Sequence, residues 1–276
     1  MHMKKNNCIS CSVGILTYNS SKTLKRCIES LRGFCEIVIA DGGSTDATLD
    51  IAREYGCTII AQSRQGQPID DFSLERNRML DAATYDWFFY LDSDEVISVE
   101  LKEEMRAICE EKDPHFLVYR VPYQLTSEDL RAKYRSFKTY YQQRFFNRRS
   151  GARFTRKMHE KIAFDEKKYA VGAVEGHWYV PLDVQLDFFV YRDKVQHRIG
   201  IMASAWEPEG FADFFRKALR EPAKNAAKQL IRMIYLSTRY RRSEIVPLRY
   251  EFFRLYSHVV AMERFVKRYL QHIRTK

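Results

Sequence analysis

The first hundred residues alternate short apolar runs with amphipathic segments. Four apolar runs, at 12–18, 37–40, 58–61 and 87–91, are bounded by polar residues and have the length of buried strands. Between them apolar residues recur at helical spacing, which predicts single helices as connections. Strands that alternate with single helices form right-handed crossovers and a mainly parallel sheet. The pattern therefore predicts an α/β fold.

After residue 98 the pattern changes. A helix is predicted near 98–112, and three aromatic-rich segments of alternating polarity follow at 115–122, 140–147 and 170–180. Such segments are typical of antiparallel strands. From about 182 onward the apolar positions have helical spacing.

These changes predict two parts. The first, 8–180, divides into halves at 8–97 and 98–180, and the second, 181–276, is a helical extension. Charge distinguishes the end of the chain as well: residues 211–276 hold 16 lysines and arginines against 5 aspartates and glutamates, whereas the whole chain has a net charge of +10. A near-neutral body thus carries a basic helical tail.

Composition bears on location. The apolar fraction of 45% is ordinary for a folded protein, and no apolar stretch approaches the ~18–20 residues that cross a bilayer. The first residues lack the apolar core of a secretory signal, so we expect a cytoplasmic protein. All six cysteines are expected to be reduced thiols near or in the core, since the Cys8/Cys11 pair lacks the partners of a zinc site.

Three aspartates follow predicted strands. Asp41 ends the second strand, and Asp92 and Asp94 follow the fourth. Ligands bind beyond the carboxyl ends of parallel strands, so we expect these side chains at one edge. Carboxylates there can hold a divalent cation that neutralises the phosphates of a nucleotide. The alternatives are an Asp-x-Asp pair in a surface loop and a turn-forming Asp41.

Three arginines are candidates for phosphate binding. Arg76 lies on the helix before the fourth strand, Arg64 in the preceding loop, and Arg144 in a later strand. A guanidinium can bind a diphosphate through two parallel hydrogen bonds. For Arg76 the alternative is an exposed helical arginine paired with Glu75 or Asp81, and for Arg144 it is a solvated strand face.

Four motifs occur in a recognisable order. They are Ser12-Val-Gly-Ile-Leu-Thr-Tyr-Asn19, Asp41-Gly-Gly-Ser-Thr-Asp46, Glu75-Arg76-Asn77 and Leu91-Asp-Ser-Asp-Glu95. In this order the chain resembles family 2 glycosyltransferases over about residues 10–100. A weaker likeness, through 143–148 and 158–160, is to the branch with lipopolysaccharide core glucosyltransferases and some peptide-modifying transferases. The resemblance implies the GT-A fold, a Rossmann-like, mainly parallel sheet with flanking helices.

The resemblance also implies roles for site residues. Thr17 and Asp41 would lie against the base of the nucleotide, Asp92 would face the ribose and the metal, and Asp94 would bind the metal, Mg²⁺ or Mn²⁺. Many relatives carry a second acidic residue where this chain has Gly42.

The general base is expected in the second half of the site. The likeness points to Glu160, which would accept the proton of the acceptor in an inverting single displacement. Asp165, Glu166 and Glu175 are alternatives. The same branch places a histidine at His177, which could complete the metal shell or lie packed beside tryptophan.

The basic tail contains a regular apolar seam. Its members recur in steps of four and three over 248–273: Leu248, Phe252, Leu255, Val259, Met262, Val266, Tyr269 and Ile273. Three uses compete for this seam: packing within the chain, pairing with a second copy, and binding an anionic membrane surface through 211–276.

Together these features predict a metal-dependent glycosyltransferase with a nucleotide-sugar donor, a UDP-sugar by preference. The expected acceptor is a cell-envelope glycan or lipid-linked glycan, or alternatively a peptide or protein. A nucleotidyltransferase usually has a glycine-rich loop after its first strand, and 17–21 contains no glycine. A nucleic-acid-binding protein, which the basic tail would suit, would leave the clustered aspartates unexplained, so no nucleic acid partner is expected.

Overall fold

The computed structural model describes residues 8–135, 139–157, 160–182 and 187–274. Their strands are β1 (Ile9–Thr17), β2 (Phe34–Asp41), β3 (Thr58–Ala61), β4 (Trp87–Asp92), β5 (Val96–Ile97), β6 (Val118–Ser127), β7 (Tyr140–Asn147), β8 (Arg153–Thr155), β9 (Lys161–Ala163), β10 (Val171–Ala173) and β11 (Trp178–Leu182). Their α-helices are α1 (Leu24–Ser30), α2 (Thr48–Glu54), α3 (Phe72–Ala82), α4 (Val99–Glu110), α5 (Phe188–Ser204), α6 (Phe211–Phe214), α7 (Glu221–Arg239) and α8 (Leu248–Arg274).

One mixed sheet organises the first part of the chain. Its order is β3-β2-β1-β4-β7-β6-β11-β5, and β3, β2, β1 and β4 are parallel as predicted. β7 is antiparallel to both β4 and β6. The segment predicted as an antiparallel strand at 170–180 is two strands, of which β10 pairs with β6 in parallel and β11 with β5 in antiparallel orientation.

The core lies on both faces of this sheet because its central strands are apolar throughout. Alternate residues of a strand point to opposite faces, so Phe89 packs into one cluster with α1 and α4 residues, and Phe88 into another with α3 residues. Both phenylalanines are fully buried. Burial of both faces fixes the register of β4, and with it the position of the polar residues at the end of the strand.

The expectation of six reduced cysteines is wrong for two of them. Cys8 and Cys35 form a disulfide, with Cα atoms 5.1 Å apart. The reason is strand register, since β1 and β2 are neighbours and Ile9 is paired with Phe34. Cys11, Cys27, Cys57 and Cys109 are free thiols, and the first two are buried. Burial raises the pKa of the Cys27 thiol well above its usual value.

The chain divides into two compact units. One comprises Met1–Gln124 and Thr139–Pro181, and the other comprises Leu125–Lys138 and Leu182–Lys276. The second is helical, and α8 packs there against α5 and α7. Among the described residues, no helix combines the length and the apolar character needed to span a membrane.

The apolar seam of α8 is not its main packing face. Helix α8 instead buries Phe253, Val260 and Phe265. Seam residues Phe252 and Val259 are about 60% exposed, with values of 59% and 61%. Seam residues Val266 and Tyr269, however, are partly buried beside Phe265. Packing of α8 within the chain therefore uses a neighbouring stripe together with the C-terminal part of the seam, because the apolar positions of this helix extend around more than one side.

Candidate active site

Three of the predicted site residues end neighbouring parallel strands. Strand β1 lies between β2 and β4, and Thr17 is paired in register with Asp41 while Leu16 is paired with Asp92. The carboxyl ends of β1, β2 and β4 therefore meet at one edge of the sheet, as the alternation of strands and helices predicts.

The Asp41 carboxylate is buried and bound by groups close to it in the fold. Its Oδ1 accepts hydrogen bonds from Thr17 Oγ1 at 2.9 Å and Ser44 Oγ at 2.6 Å. Its Oδ2 accepts from the backbone N–H groups of Gly43 and Ser44 at 2.9 and 2.8 Å. Four donors match the acceptor capacity of a carboxylate. Asp41 thus fixes the loop after β2, and its contact with a nucleotide base stays a prediction.

Arg76 joins two acidic residues that are distant in sequence. Its Nη2 donates to Asp92 Oδ1 at 2.7 Å, and its Nε donates to Glu160 Oε1. The guanidinium lies 4.4 Å from the centre of the Tyr90 ring. Arg76 is only 3% exposed, so the predicted alternative of an exposed helical arginine is wrong. The structure places Asp92 and Glu160, the predicted metal ligand and base, on one buried cation.

The two carboxylates on Arg76 differ in exposure. The Asp92 side chain is 48% exposed and that of Glu160 15%. Burial raises the pKa of Asp92, but the positive charges of Arg76 and Arg144 lower it further, and the net pKa lies below its ordinary value. Asp92 is therefore ionised at neutral pH, the form that binds a cation.

The neighbours of Arg76 on α3 hold the helix in place. Glu75 is buried, and its Oε1 accepts a hydrogen bond from Ser63 N at 3.0 Å. Asn77 donates to Phe154 O at 2.9 Å and accepts from Phe154 N at 3.0 Å, which ties α3 to β8. The Glu75-Arg76-Asn77 motif thus anchors α3 on two sides and leaves Arg76 between the acidic residues.

Glu95 is a site residue to which the sequence assigned no role. It is buried and accepts hydrogen bonds from Asp92 N and Trp178 Nε1, both at 2.9 Å. It also forms an ion pair with Arg144, whose guanidinium lies 3.9 Å from the Trp178 ring centre. Burial raises the pKa of Glu95 to about 7, although Arg144 opposes this shift. One signal in the sequence could have pointed to Glu95. It is the last of four consecutive polar residues, directly after Asp94, and the apolar strand β5 follows it.

A β-bulge explains how Arg144 reaches the site. Tyr119 is paired with Phe145, and the next residue, Arg120, is paired with Gln143, so Arg144 is an extra residue on β7. Bulges change the direction of side chains and are common beside active sites. Arg144 is 5% exposed, so the predicted solvated strand face is wrong for it.

A pocket of about 890 Å³ opens beside these groups. Among the described residues its lining includes Arg76, Asp92, Arg144 and Glu160, together with Tyr90. Arg64 is not among the lining residues; it lies in the exposed loop before α3 and pairs with Asp70 at 2.5 Å. Asp92, Glu160 and two of the three predicted arginines therefore share one cavity, and Asp94 is not among its lining residues.

Comparison with known proteins decides the family. Residues 12–176 match the family model described as glycosyl transferase family 2, which is more than half of the chain. The chain belongs to glycosyl transferase family 2. The match includes all four ordered motifs and the pocket-lining segments up to β10.

Curated relatives of this family 2 chain are longer than it is. One is the TPR repeat-containing protein Synpcc7942_0270 of Synechococcus elongatus, 30% identical over 193 residues, which are 68% of this chain and 44% of that protein. Another is the SPbeta prophage-derived glycosyltransferase SunS of Bacillus subtilis, 32% identical over 107 residues, 38% of this chain and 25% of SunS. The chain thus spans less than half the length of these relatives.

The solved structure of a mannosyltransferase shows the same fold. The mannosyltransferase PcManGT from Pyrobaculum calidifontis, in complex with GDP-Man and Mn²⁺, aligns with a TM-score of 0.51 at 13% identity, over 93% of this chain and 87% of that one. TarS 1–349 of S. aureus in complex with UDP-GlcNAc gives a TM-score of 0.47 at 16% identity, over 96% and 92%. The GT-A fold expected from the motifs is confirmed; the lipopolysaccharide core branch stays a prediction.

The predicted metal ligands of the family 2 site are not gathered into a three-ligand cluster. Within the described residues no group of three His, Cys, Asp or Glu side chains is arranged to hold a metal ion. Asp94 is exposed, and His177 is fixed by its backbone, whose carbonyl accepts from Ser98 N at 2.9 Å. Asp92 and Asp94 nevertheless fit a cation that takes its remaining ligands from phosphates and water. His159 lies outside the described residues.

Proposed function

We propose that this chain transfers a sugar from a nucleotide diphosphate donor, a UDP-sugar by preference, to a hydroxyl group of an acceptor. The observation that carries the proposal is the Asp92–Arg76–Glu160 bridge at the pocket. One buried guanidinium holds a carboxylate at the donor edge of the sheet and a second carboxylate in the acceptor half. A transferase requires both groups close to one reacting carbon.

In the proposed reaction Glu160 is the general base. It accepts the proton of the acceptor hydroxyl while the hydroxyl oxygen forms a bond to the anomeric carbon from the face opposite the diphosphate. The bond from that carbon to the diphosphate oxygen breaks, and the electron pair leaves with the nucleotide. The anomeric centre is inverted in this single displacement. Arg76 holds Glu160 and Asp92 in position.

The diphosphate site lies at the ends of β1, β2 and β4. Asp92 and Asp94 would hold Mg²⁺ or Mn²⁺, which supplies charge neutralisation for the leaving diphosphate. Thr17 and Asp41 would lie against the base, and Arg64 would approach the phosphates from the loop before α3. His177 would support the metal site. PcManGT was solved with GDP-Man and Mn²⁺, which supports a metal at this site. Because its donor is a guanosine nucleotide, the nucleotide base of the donor of this chain has to be measured.

The proposed acceptor is a cell-envelope or lipid-linked glycan at the cytoplasmic face of a membrane; a peptide or protein is the alternative. Support for the membrane comes from helix α7. Leu230, Ile231 and Ile234 of α7 are between 47% and 66% exposed. Lys224 and Lys228 are exposed and precede Ile231 in steps of four and three, so they share a side of the helix with that residue. Apolar residues beside lysines suit an anionic bilayer surface.

Flotation with lipid vesicles tests the proposed binding of α7 to a membrane surface. We expect binding to vesicles of phosphatidylcholine with phosphatidylglycerol, and loss of binding in an Ile231→Ser, Ile234→Ser variant. Val99→Ser, at a 69% exposed position in the first unit, is the control and should leave binding unchanged. Equal flotation of all variants would contradict a membrane role for α7.

Light scattering tests whether the α8 seam binds a second copy of the chain. A dimer that a Phe252→Ser, Val259→Ser variant abolishes would assign the seam to that role.

Calorimetric titration of UDP tests the donor site directly. We expect binding that requires Mn²⁺ or Mg²⁺ and that weakens at least tenfold in Asp94→Ala, because an exposed metal carboxylate is lost without disturbing the core. Glu100→Ala, an exposed acidic residue of α4, is the matched control. Binding of GDP in place of UDP would change the donor base only. No binding of any nucleoside diphosphate with either metal would refute the transferase proposal.

A further inference from the structure

The wall of the pocket beyond the reacting groups is rich in positive charge. Five cationic residues line the cavity, namely Arg76, Arg120, Arg144, Arg156 and Lys161. Two of them are paired: Arg76 with both Asp92 and Glu160, a group with one more carboxylate than cations, and Arg144 with Glu95. The charge that faces the cavity uncompensated therefore comes from the other three.

Arg120, Arg156 and Lys161 are exposed and come from three different elements. They lie on β6, after β8 and at the start of β9. Within the described residues none of the three forms an ion pair. The cavity contains one other acidic residue, Glu166, so three cations face a single carboxylate in addition to those already paired.

Local backbone geometry supports a binding role for this wall. Arg156 has a φ of 72°, a left-handed conformation that is uncommon outside glycine and is concentrated at functional sites. The guanidinium of Arg120 lies 5.3 Å from the centre of the Tyr141 ring, which restrains the plane of its donors. Arg76 Nη1, buried in the same lining, has no hydrogen-bond partner among the described residues.

We propose that the acceptor carries an anionic group, a phosphate or a carboxylate, which binds to Arg120, Arg156 and Lys161. This inference rests on the proposed function, because it assigns the far wall of the pocket to the acceptor. Two arginine forks and one lysine are suited to the oxygens of such a group. Thr17 and Asp41, the proposed nucleotide-base contacts, do not line this cavity. All three cations belong to 98–180, the half of the site to which the proposed function assigns the acceptor.

The test uses the full chain saturated with UDP and Mg²⁺, so that the diphosphate site is filled. Saturation-transfer NMR then measures binding of three small probes: glycerol 3-phosphate, glycerate and uncharged glycerol. We expect at least one anionic probe to bind and glycerol not to bind. A preference between the two anions distinguishes a phosphate-bearing acceptor from a carboxylate-bearing one.

An Arg120→Gln, Arg156→Gln, Lys161→Gln variant should weaken the anionic probe at least tenfold while its affinity for UDP with Mg²⁺ is unchanged. Arg53→Gln, an exposed arginine of α2 outside the pocket, is the matched control. All substituted residues are exposed, and an unchanged melting temperature verifies folding.

Two outcomes would overturn the inference. One is binding of the anionic probes that is absent or no stronger than that of glycerol. The other is a triple variant that weakens UDP as much as the probe, which would assign the cations to the donor diphosphate. Failure of the proposed function gives a different result, since wild-type protein would then not bind UDP at all, whatever it does with glycerol 3-phosphate.

Discussion

Asp41 and Asp92, the two aspartates at the carboxyl ends of β2 and β4, are held in opposite ways. Asp41 is 4% exposed and receives four hydrogen bonds, three from its own loop and one from the adjacent strand. Asp92 has a half-exposed side chain, and its carboxylate is held by the charges of Arg76 on α3, 16 residues away, and of Arg144 on β7.

The difference separates a carboxylate whose acceptor sites are occupied within the protein from one that is partly exposed. The four donors on Asp41 hold its loop in place, whereas a half-exposed, ionised carboxylate is accessible to a cation. Asp92 is held in position by Arg76, which is buried. A buried guanidinium needs acidic partners, and Asp92 and Glu160 supply them. We therefore expect removal of the bridge to reduce stability and, under the proposed function, sugar transfer as well.

The largest effect is expected from Arg76→Ala. Removing this cation leaves Glu160 and Asp92 close together without a counter-ion, and breaking a buried ion pair costs about 3–5 kcal/mol. We expect a loss of that size in the free energy of unfolding, measured by urea denaturation.

Arg153→Ala is the matched control for Arg76→Ala. The Arg153–Asp81 pair has side chains that are 54% and 58% exposed, and exposed pairs contribute about 0–1 kcal/mol. If Arg76→Ala were no more destabilising than Arg153→Ala, the bridge would not be an important stabilising contact.

The contrast between the aspartates also explains what could be predicted from sequence. The strand ends that carry Thr17, Asp41 and Asp92 follow from apolar runs and crossover topology, which are local signals. The contact between Arg76 and Glu160 does not follow from such signals. Glu160 lies 84 residues from Arg76 and reaches α3 only through the packing of residues 98–180. Its place in the site was expected from family resemblance and not from any property of its neighbours.

One wrong expectation and one question that the sequence left open have the same origin. The Cys8–Cys35 disulfide depends on the alignment of β1 with β2, which a separation of 27 residues does not reveal. The packing face of α8 depends on which stripe α5 and α7 cover, and Phe253 and Val260 were chosen over the more regular seam. Periodicity shows where a helix is apolar, whereas the neighbouring helices decide which apolar side is buried.

A smaller effect is expected from Asp41→Asn. The amide keeps one acceptor oxygen but places NH₂ donors against the existing donors of the loop, so hydrogen bonds to a charged acceptor are lost. Such bonds contribute about 1.5–3 kcal/mol, and we expect a destabilisation of about 2 kcal/mol by urea denaturation. Asp50→Asn, on α2 with a side chain that is 79% exposed, is the control. A fall in UDP affinity at unchanged stability would instead show that Asp41 binds the nucleotide base.

The smallest effect is expected from Thr17→Val, which removes one hydroxyl donor to Asp41 and preserves the shape of the side chain. Loss of this one buried bond should cost about 1.5 kcal/mol, the lower end of the range for a charged acceptor, because the other three donors to Asp41 remain. A double-mutant cycle with Asp41→Asn isolates the pair, and residues in direct contact should show a coupling of about 0.5 kcal/mol or more. The same cycle between Thr17→Val and Arg76→Ala should give no coupling, because the donor-edge loop and the bridge share no hydrogen-bond partner in the described structure. Coupling of similar size in both cycles would mean that Asp41 and Asp92 belong to one cooperative network, and the distinction between a local and a long-range aspartate would then fail.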